Sequence, residues 1–138
     1  MTYSVSHMED SIFTKIINRE IAGVVVWEDE QVIVLMDKFP AVQGQTLVIP
    51  KKQIDNLFEV PDELYSHLWL VAKCVAHAMQ TALSPRRVCV VVEGFEVPHA
   101  HIKLYPVPEG EGLTIKPGEM AEDEELEVLA EKIRKQMQ

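Results

Sequence analysis

Apolar residues recur along this chain at two different spacings, and the changes of spacing mark its elements. Ile12, Phe13, Ile16 and Ile17 fall three and four apart, which predicts a short helix starting at Ile12 with Ser11 as its cap. Val24 to Glu28 is rich in β-branched and aromatic residues and predicts a strand. Asp29-Glu30 makes a turn, and Val32 to Met36 returns as the second strand of a hairpin. Thr46 to Ile49 is a third strand, closed by Pro50. Lys51 to Glu59 is a polar connection anchored by Ile54, Leu57 and Phe58.

The longest periodic segment follows. Pro61 sets the first turn of a main helix, and Asp62 and Glu63 complement its positive end. Leu64, Leu68, Val71, Val75, Ala78 and Ala82 form one apolar stripe, which stops near Leu83-Ser84-Pro85. Val88 to Val92 is a continuous apolar run, the pattern of a strand covered on both faces. A fifth strand runs from Val97 towards Pro106, and Glu109 to Gly118 is a loop of Gly, Pro and Glu. Asp123 to Met137, within an acidic segment 119–138, predicts a last helix with Leu126, Leu129, Ile133 and Met137 on one side. Helix, three strands, helix, two strands, helix reads as one α+β domain, 1–138, around an antiparallel sheet. Residues 1–10 are polar and patternless and read as a frayed tail, with Met8 an alternative start to Met1.

Composition narrows the classes. The net charge is −9, and residues 119–138 hold seven acids against three bases. Binding to a nucleic-acid polymer rests on many Lys and Arg contacts to phosphate, so this balance argues against such a partner while leaving room for one small nucleotide. No apolar run approaches the roughly 20 residues needed to span a bilayer, and no basic-then-apolar leader is visible. Cys74 and Cys89 form no C-x-x-C pair and read as two buried free thiols in a reducing cytosol.

The chemistry concentrates in Val97-Pro98-His99-Ala100-His101-Ile102-Lys103-Leu104-Tyr105-Pro106. In a strand, alternate side chains share a face. His99, His101, Lys103 and Tyr105 then line one face, roughly 7 Å apart in steps of two residues, with Ala100, Ile102 and Leu104 on the other. Such a row admits three readings. A neutral imidazole titrating near 6.5 can attack phosphorus, with its neighbours orienting it and neutralising charge. Two imidazoles can ligate a metal, although metal sites take three or four ligands and Lys103 repels a cation. The histidines can also be solvated residues of a half-exposed strand.

Three blocks of sequence resemble the histidine triad (HIT) family. These are Ser11-Ile12-Phe13-Thr14-Lys15-Ile16-Ile17-Asn18-Arg19-Glu20-Ile21, Gly44-Gln45-Thr46-Leu47-Val48-Ile49-Pro50-Lys51-Lys52, and Val97-Pro98-His99-Ala100-His101-Ile102-Lys103, in the family's order. The resemblance implies an α+β, HIT-like fold with a five-stranded antiparallel sheet, and a homodimer that binds nucleotides. It implies cleavage or transfer of nucleoside monophosphate, AMP above all, from phosphoramidates or polyphosphates through a nucleotidyl-histidine intermediate. It makes His101 the nucleophile, with His99 supporting it. Ile12, Phe13 and Ile16 fall at the base pocket, Asp37 at the ribose hydroxyls, and Gly94 to Val97 at the phosphate and leaving group.

The departures from the family pattern are as specific. Lys103 stands where the third triad position carries His or Gln, and Phe95 stands where a Gln often contacts phosphate. Many microbial relatives hold zinc with a C-x-x-C at the positions of Ser11 and Thr14 and a histidine at that of Gln53. All three ligands are missing here, so the expectation is no zinc. With Lys103 and Phe95 in place, a nucleotide-binding regulatory module with little turnover is the alternative to an enzyme.

Overall fold

The computed structural model describes residues 8–137. Residues 1–7 of the expected tail lie outside the described residues, while Met8, Glu9 and Asp10 are exposed. The elements are α1 (Ile12–Ile17), β1 (Val25–Glu28), β2 (Val32–Met36), β3 (Thr46–Pro50), α2 (Asp62–Leu83), β4 (Arg87–Val91), β5 (Ile102–Val107) and α3 (Asp123–Lys135). The five strands form one antiparallel sheet in the order β1-β2-β3-β5-β4.

Strand alternation sorts the core into two layers. Val34, Val48, Ile102 and Leu104 face α2 and α3, meeting Leu68, Val71, Val75 and Met79 of α2 and Leu126, Leu129 and Ile133 of α3. Ile33, Leu35, Leu47 and Ile49 face the other way, against Phe13, Ile16 and Ile17 of α1. Among the described residues α1 is the one helix on this second face, and beside it part of the sheet is left open for a cavity. Tight local turns hold the frame. Asp29 Oδ1 accepts from the amides of Gln31 and Val32 at 2.8 Å each, an Asx turn that closes the β1–β2 hairpin.

Four expectations need correction. First, β5 begins at Ile102, so His99 and His101 precede the strand. Pro98 leads into a bend in which the His99 amide donates to the Val97 carbonyl at 2.8 Å, and the strict alternation is lost. Second, β4 is an edge strand covered on one side, with Val90 45% exposed. Third, Phe58 points to solvent from a 3-10 turn (Leu57–Glu59), and Val60 takes its place as anchor beside Leu57. Fourth, Cys74 is exposed because it lies off the buried stripe of α2, and Cys89 is half-buried in the edge strand. The acidic terminal segment forms the expected helix, and α3 packs on α2 and β1. There Arg134 donates from Nε to the Val26 carbonyl at 2.9 Å and from Nη2 to the Val25 carbonyl at 2.8 Å, occupying acceptors of an edge strand.

Candidate active site

A cavity of about 390 Å³ opens on the sheet face that α1 leaves uncovered. Its walls have two characters. Ile12, Phe13, Ile16, Leu35 and Phe39 make an apolar end beside α1 and β2, while His101, Lys103, Glu93 and Glu96 gather at the β5 end. β2 and β5 are separated by β3, so the two ends lie about 10 Å apart. Ile115 and Pro117 complete the rim from the loop after β5. That loop is tied down by the Gly118 amide to the Phe39 carbonyl at 3.2 Å and by the Ala121 amide to the Lys38 carbonyl at 2.9 Å. A Cβ at position 118 would stand 2.2 Å from the Pro40 oxygen, so only glycine fits this crossing.

The two histidines, expected on one strand face, have different environments. His101 lines the cavity, and its Nδ1 is 2.7 Å from the His99 carbonyl. A carbonyl only accepts, so Nδ1 carries the proton and Nε2 keeps its lone pair. Phe13 packs edge-on against the ring with centroids 4.9 Å apart. Burial holds the His101 pKa below the ordinary imidazole value, and the charge of Lys103 pushes the same way. The neutral form therefore prevails at neutral pH.

His99 is fully buried and turned away from the cavity. Its Nε2 donates to the Pro50 carbonyl at 2.7 Å, so its Nδ1 accepts from the Ser11 hydroxyl at 2.7 Å. Burial lowers its pKa as well. The residue thus faces His101 with its main chain, and the imidazole acts as a peg that fixes where that carbonyl sits.

The three positions singled out for zinc converge on this peg. Ser11 Oγ caps α1 by accepting from the Thr14 amide at 3.0 Å. Thr14 Oγ1 donates to Gln53 Oε1 at 2.7 Å, and the same oxygen accepts from the Ser11 amide at 2.9 Å. Gln53 Nε2 donates to the Glu9 and Pro98 carbonyls at 3.0 and 3.3 Å. Neutral hydroxyl and amide groups satisfying one another do not fit a zinc site, which takes thiolate, imidazole or carboxylate.

At the other end of the cavity, Asp37 leaves β2 with both carboxylate oxygens engaged. Oδ1 accepts from the Phe39 amide and Oδ2 from Gln45 Nε2, each at 2.8 Å. Burial raises its pKa, while the Phe39 amide and the charges of Lys103 and His101 pull the other way. Lys103 lies opposite Leu47 on one side and Val91 on the other. Its ammonium donates to Glu93 Oε1 at 2.6 Å. Gly94 lines the cavity with φ at +72°, and Val97 is also part of the wall. Phe95 is on the rim with its ring in solvent. Tyr105, expected in the same row, is wholly buried away from the cavity, which pushes its hydroxyl up to about 12.

All of the expected pocket residues except His99 therefore line one cavity. Sequence reading missed Glu93, Gln45 and Phe39 as members. Gln45 sat in a quoted block without a role, and the segment assigned to the phosphate side began at Gly94, one residue past Glu93.

Comparison with known proteins agrees with this fold. The HIT domain profile matches residues 18–109. A HIT-like protein of Methanocaldococcus jannaschii is 39% identical over 124 residues, 87% of this chain and 96% of that one. The crystal structure of a hypothetical histidine triad nucleotide-binding protein from Sulfolobus tokodaii superposes with a TM-score of 0.82 at 32% identity, covering 91% of this chain and 90% of the other. A HIT family hydrolase from Legionella pneumophila gives 0.62 at 30% identity, covering 79% of this chain and all of its own.

Proposed function

Since the chain belongs to the HIT domain family, we propose that it is a nucleotide-binding hydrolase or transferase that releases nucleoside monophosphate, AMP in the first instance, from phosphoramidate or polyphosphate substrates. One observation carries the reading: His101 presents a neutral imidazole to a cavity that also holds Lys103 and Asp37. The base lies between Ile12, Phe13, Ile16 and Phe39, the ribose hydroxyls meet the Asp37 carboxylate, and the phosphate reaches His101 and Lys103. The Nε2 lone pair of His101 forms a bond to phosphorus as the bond from phosphorus to the leaving group breaks. The leaving group departs with the bonding pair and takes up a proton. Water then displaces the imidazole from phosphorus, releasing the monophosphate and one proton, and Nε2 regains its lone pair. The His99 carbonyl holds the Nδ1 proton throughout and stabilises the charge that develops on the ring.

The test is release of AMP from an adenosine phosphoramidate. His101→Ala should lower the rate on the order of 10³-fold or more, and an unchanged rate overturns the assignment of the nucleophile. Lys103 and the exposed Phe95 support a second reading, a regulatory module that binds nucleotide without efficient turnover. Tight AMP binding with no release across a substrate panel favours that reading. A large gain of rate in Lys103→His assigns the limitation to the lysine.

The same reading takes the molecule as a homodimer. β4 leaves an edge of unpaired backbone groups, Val90 is 45% exposed on it, and Leu70 of the adjoining α2 is 64% exposed. Partners are a small nucleotide and a second copy, with no nucleic-acid polymer. The protein works without zinc. Cytoplasmic location is part of the proposal, and among the described residues no helix is long and apolar enough to cross a membrane.

A further inference from the structure

The ammonium of Lys103 already has a counter-charge. Its Nζ donates to Glu93 Oε1 at 2.6 Å, with the lysine side chain 15% and the glutamate 28% exposed. Flanked by Leu47 and Val91 across the sheet, a charged lysine needs such a partner or loses much of its hydration uncompensated. Glu93 lies two residues past the end of β4, in the turn that leads towards β5, and Gly94, with a positive φ and open space where a Cβ would stand, lets that turn bend back over the cavity. The same turn brings Glu96 to the rim. The β5 end of the cavity therefore holds one ammonium and two carboxylates beside His101.

That balance bears on what can follow the reacting phosphate. With the base against α1 and β2, a chain of phosphates extends from the α-phosphate towards β5 and the 93–97 turn. A single phosphate can share Lys103, which has three donors, with Glu93. A second or third phosphate meets the half-buried carboxylate of Glu93, where like charges repel more strongly than in bulk water, and the exposed Glu96 adds a weaker, solvent-screened repulsion at the rim.

We propose that Glu93 is a specificity-determining residue, which turns the leaving-group side of the cavity against additional phosphates and favours substrates whose leaving group is neutral or cationic, an amine foremost. This rests on the nucleotide reading above and narrows its substrate class. Glu93 acts by its charge and by its hold on Lys103, and takes no part in bond making.

Binding of AMP, ADP and ATP to the wild-type protein, Glu93→Gln and Glu93→Asp, followed by calorimetry, tests the proposal without requiring turnover. The wild type should bind AMP at least about tenfold more tightly than ADP, by the repulsion just described. Glu93→Gln should shrink that ratio at least fivefold, and Glu93→Asp, which keeps the charge, should restore most of it. A carboxylate that only stiffened the turn would move the affinities for AMP and ADP together. An unchanged ADP-to-AMP ratio in Glu93→Gln, with AMP bound, overturns this proposal alone. Failure of the wild type to bind AMP overturns the nucleotide reading and this proposal with it.

Discussion

His101 Nδ1 and the main-chain oxygen of His99 stand 2.7 Å apart, so one histidine of the pair orients the other through its backbone. The His99 imidazole, spanning from the Pro50 carbonyl to the Ser11 hydroxyl, anchors that backbone to β3 and to the start of α1. Orientation of the His101 ring is therefore a property of the packed core. Four consequences follow that bench measurements can check.

The acid limb of the rate profile should lie low. Burial and Lys103 both hold the His101 pKa down, so the reactive neutral form persists below the ordinary imidazole value. Expected is a kcat/KM for AMP release that is flat near neutrality and falls only at an apparent pKa below about 6.5. Lys103→Met should move the inflection upward. An inflection above pH 7 in the wild type contradicts the assignment. Stability follows the same sign. The folded state keeps His99 and His101 neutral where unfolded imidazoles protonate, so stability is full above about pH 6.5 and declines as pH falls below it.

Ser11→Ala should be costly for a single hydroxyl. It removes the cap of α1, about 1 kcal/mol, and leaves the buried Nδ1 of His99 only the Thr14 hydroxyl at 3.4 Å, about 1–3 kcal/mol more. A fall in Tm of roughly 10 °C is expected in calorimetry. Ser11→Thr keeps the hydroxyl and should recover most of it. Equal behaviour of the two variants would mean that the hydroxyl is incidental.

Metal analysis of the purified protein should find no stoichiometric zinc, because Ser11, Thr14 and Gln53 present neutral oxygens that already bond to one another. Chelator treatment should leave Tm unchanged. One zinc per chain overturns this expectation.

Charge placed on the exposed faces of β4 and α2 should split the proposed dimer. Val90→Glu and Leu70→Asp alter exposed apolar positions, so each should leave monomer stability within about 0.5 kcal/mol. Light scattering should read one chain per particle for the variants and two for the wild type. A wild-type protein that scatters as a monomer rules the dimer out.

Much of the fold was legible because its signals are local. The cap at Ser11, the Asx turn at Asp29, the 3.6-residue stripe from Leu64 to Ala82 and the alternation within each strand depend on neighbours a few residues away. The membership of the cavity was also legible at Ile12, Phe13, Ile16, Asp37, His101 and Lys103, through the resemblance to the HIT family, whereas spacing alone marked Ile12, Phe13 and Ile16 only as one face of a helix. Spacing failed at His99, where Pro98 ended the alternation before the strand began. It failed again for Val88 to Val92, since an apolar run records that a strand has a place to bury and says nothing of whether this chain or another supplies the cover.

What the sequence by itself determined is the set of elements, the antiparallel α+β architecture and the chemistry available, two imidazoles and an ammonium within five residues. Tertiary structure alone decided how that chemistry is divided. It placed His99 on Ser11, 88 residues away, and on Pro50, 49 away, while leaving His101 open to the cavity. It also set Glu93 on Lys103 across a turn that no periodicity describes. Partner choice for a buried polar group is settled by which donors and acceptors the packed sheet brings within about 3 Å, and that depends on the whole chain at once.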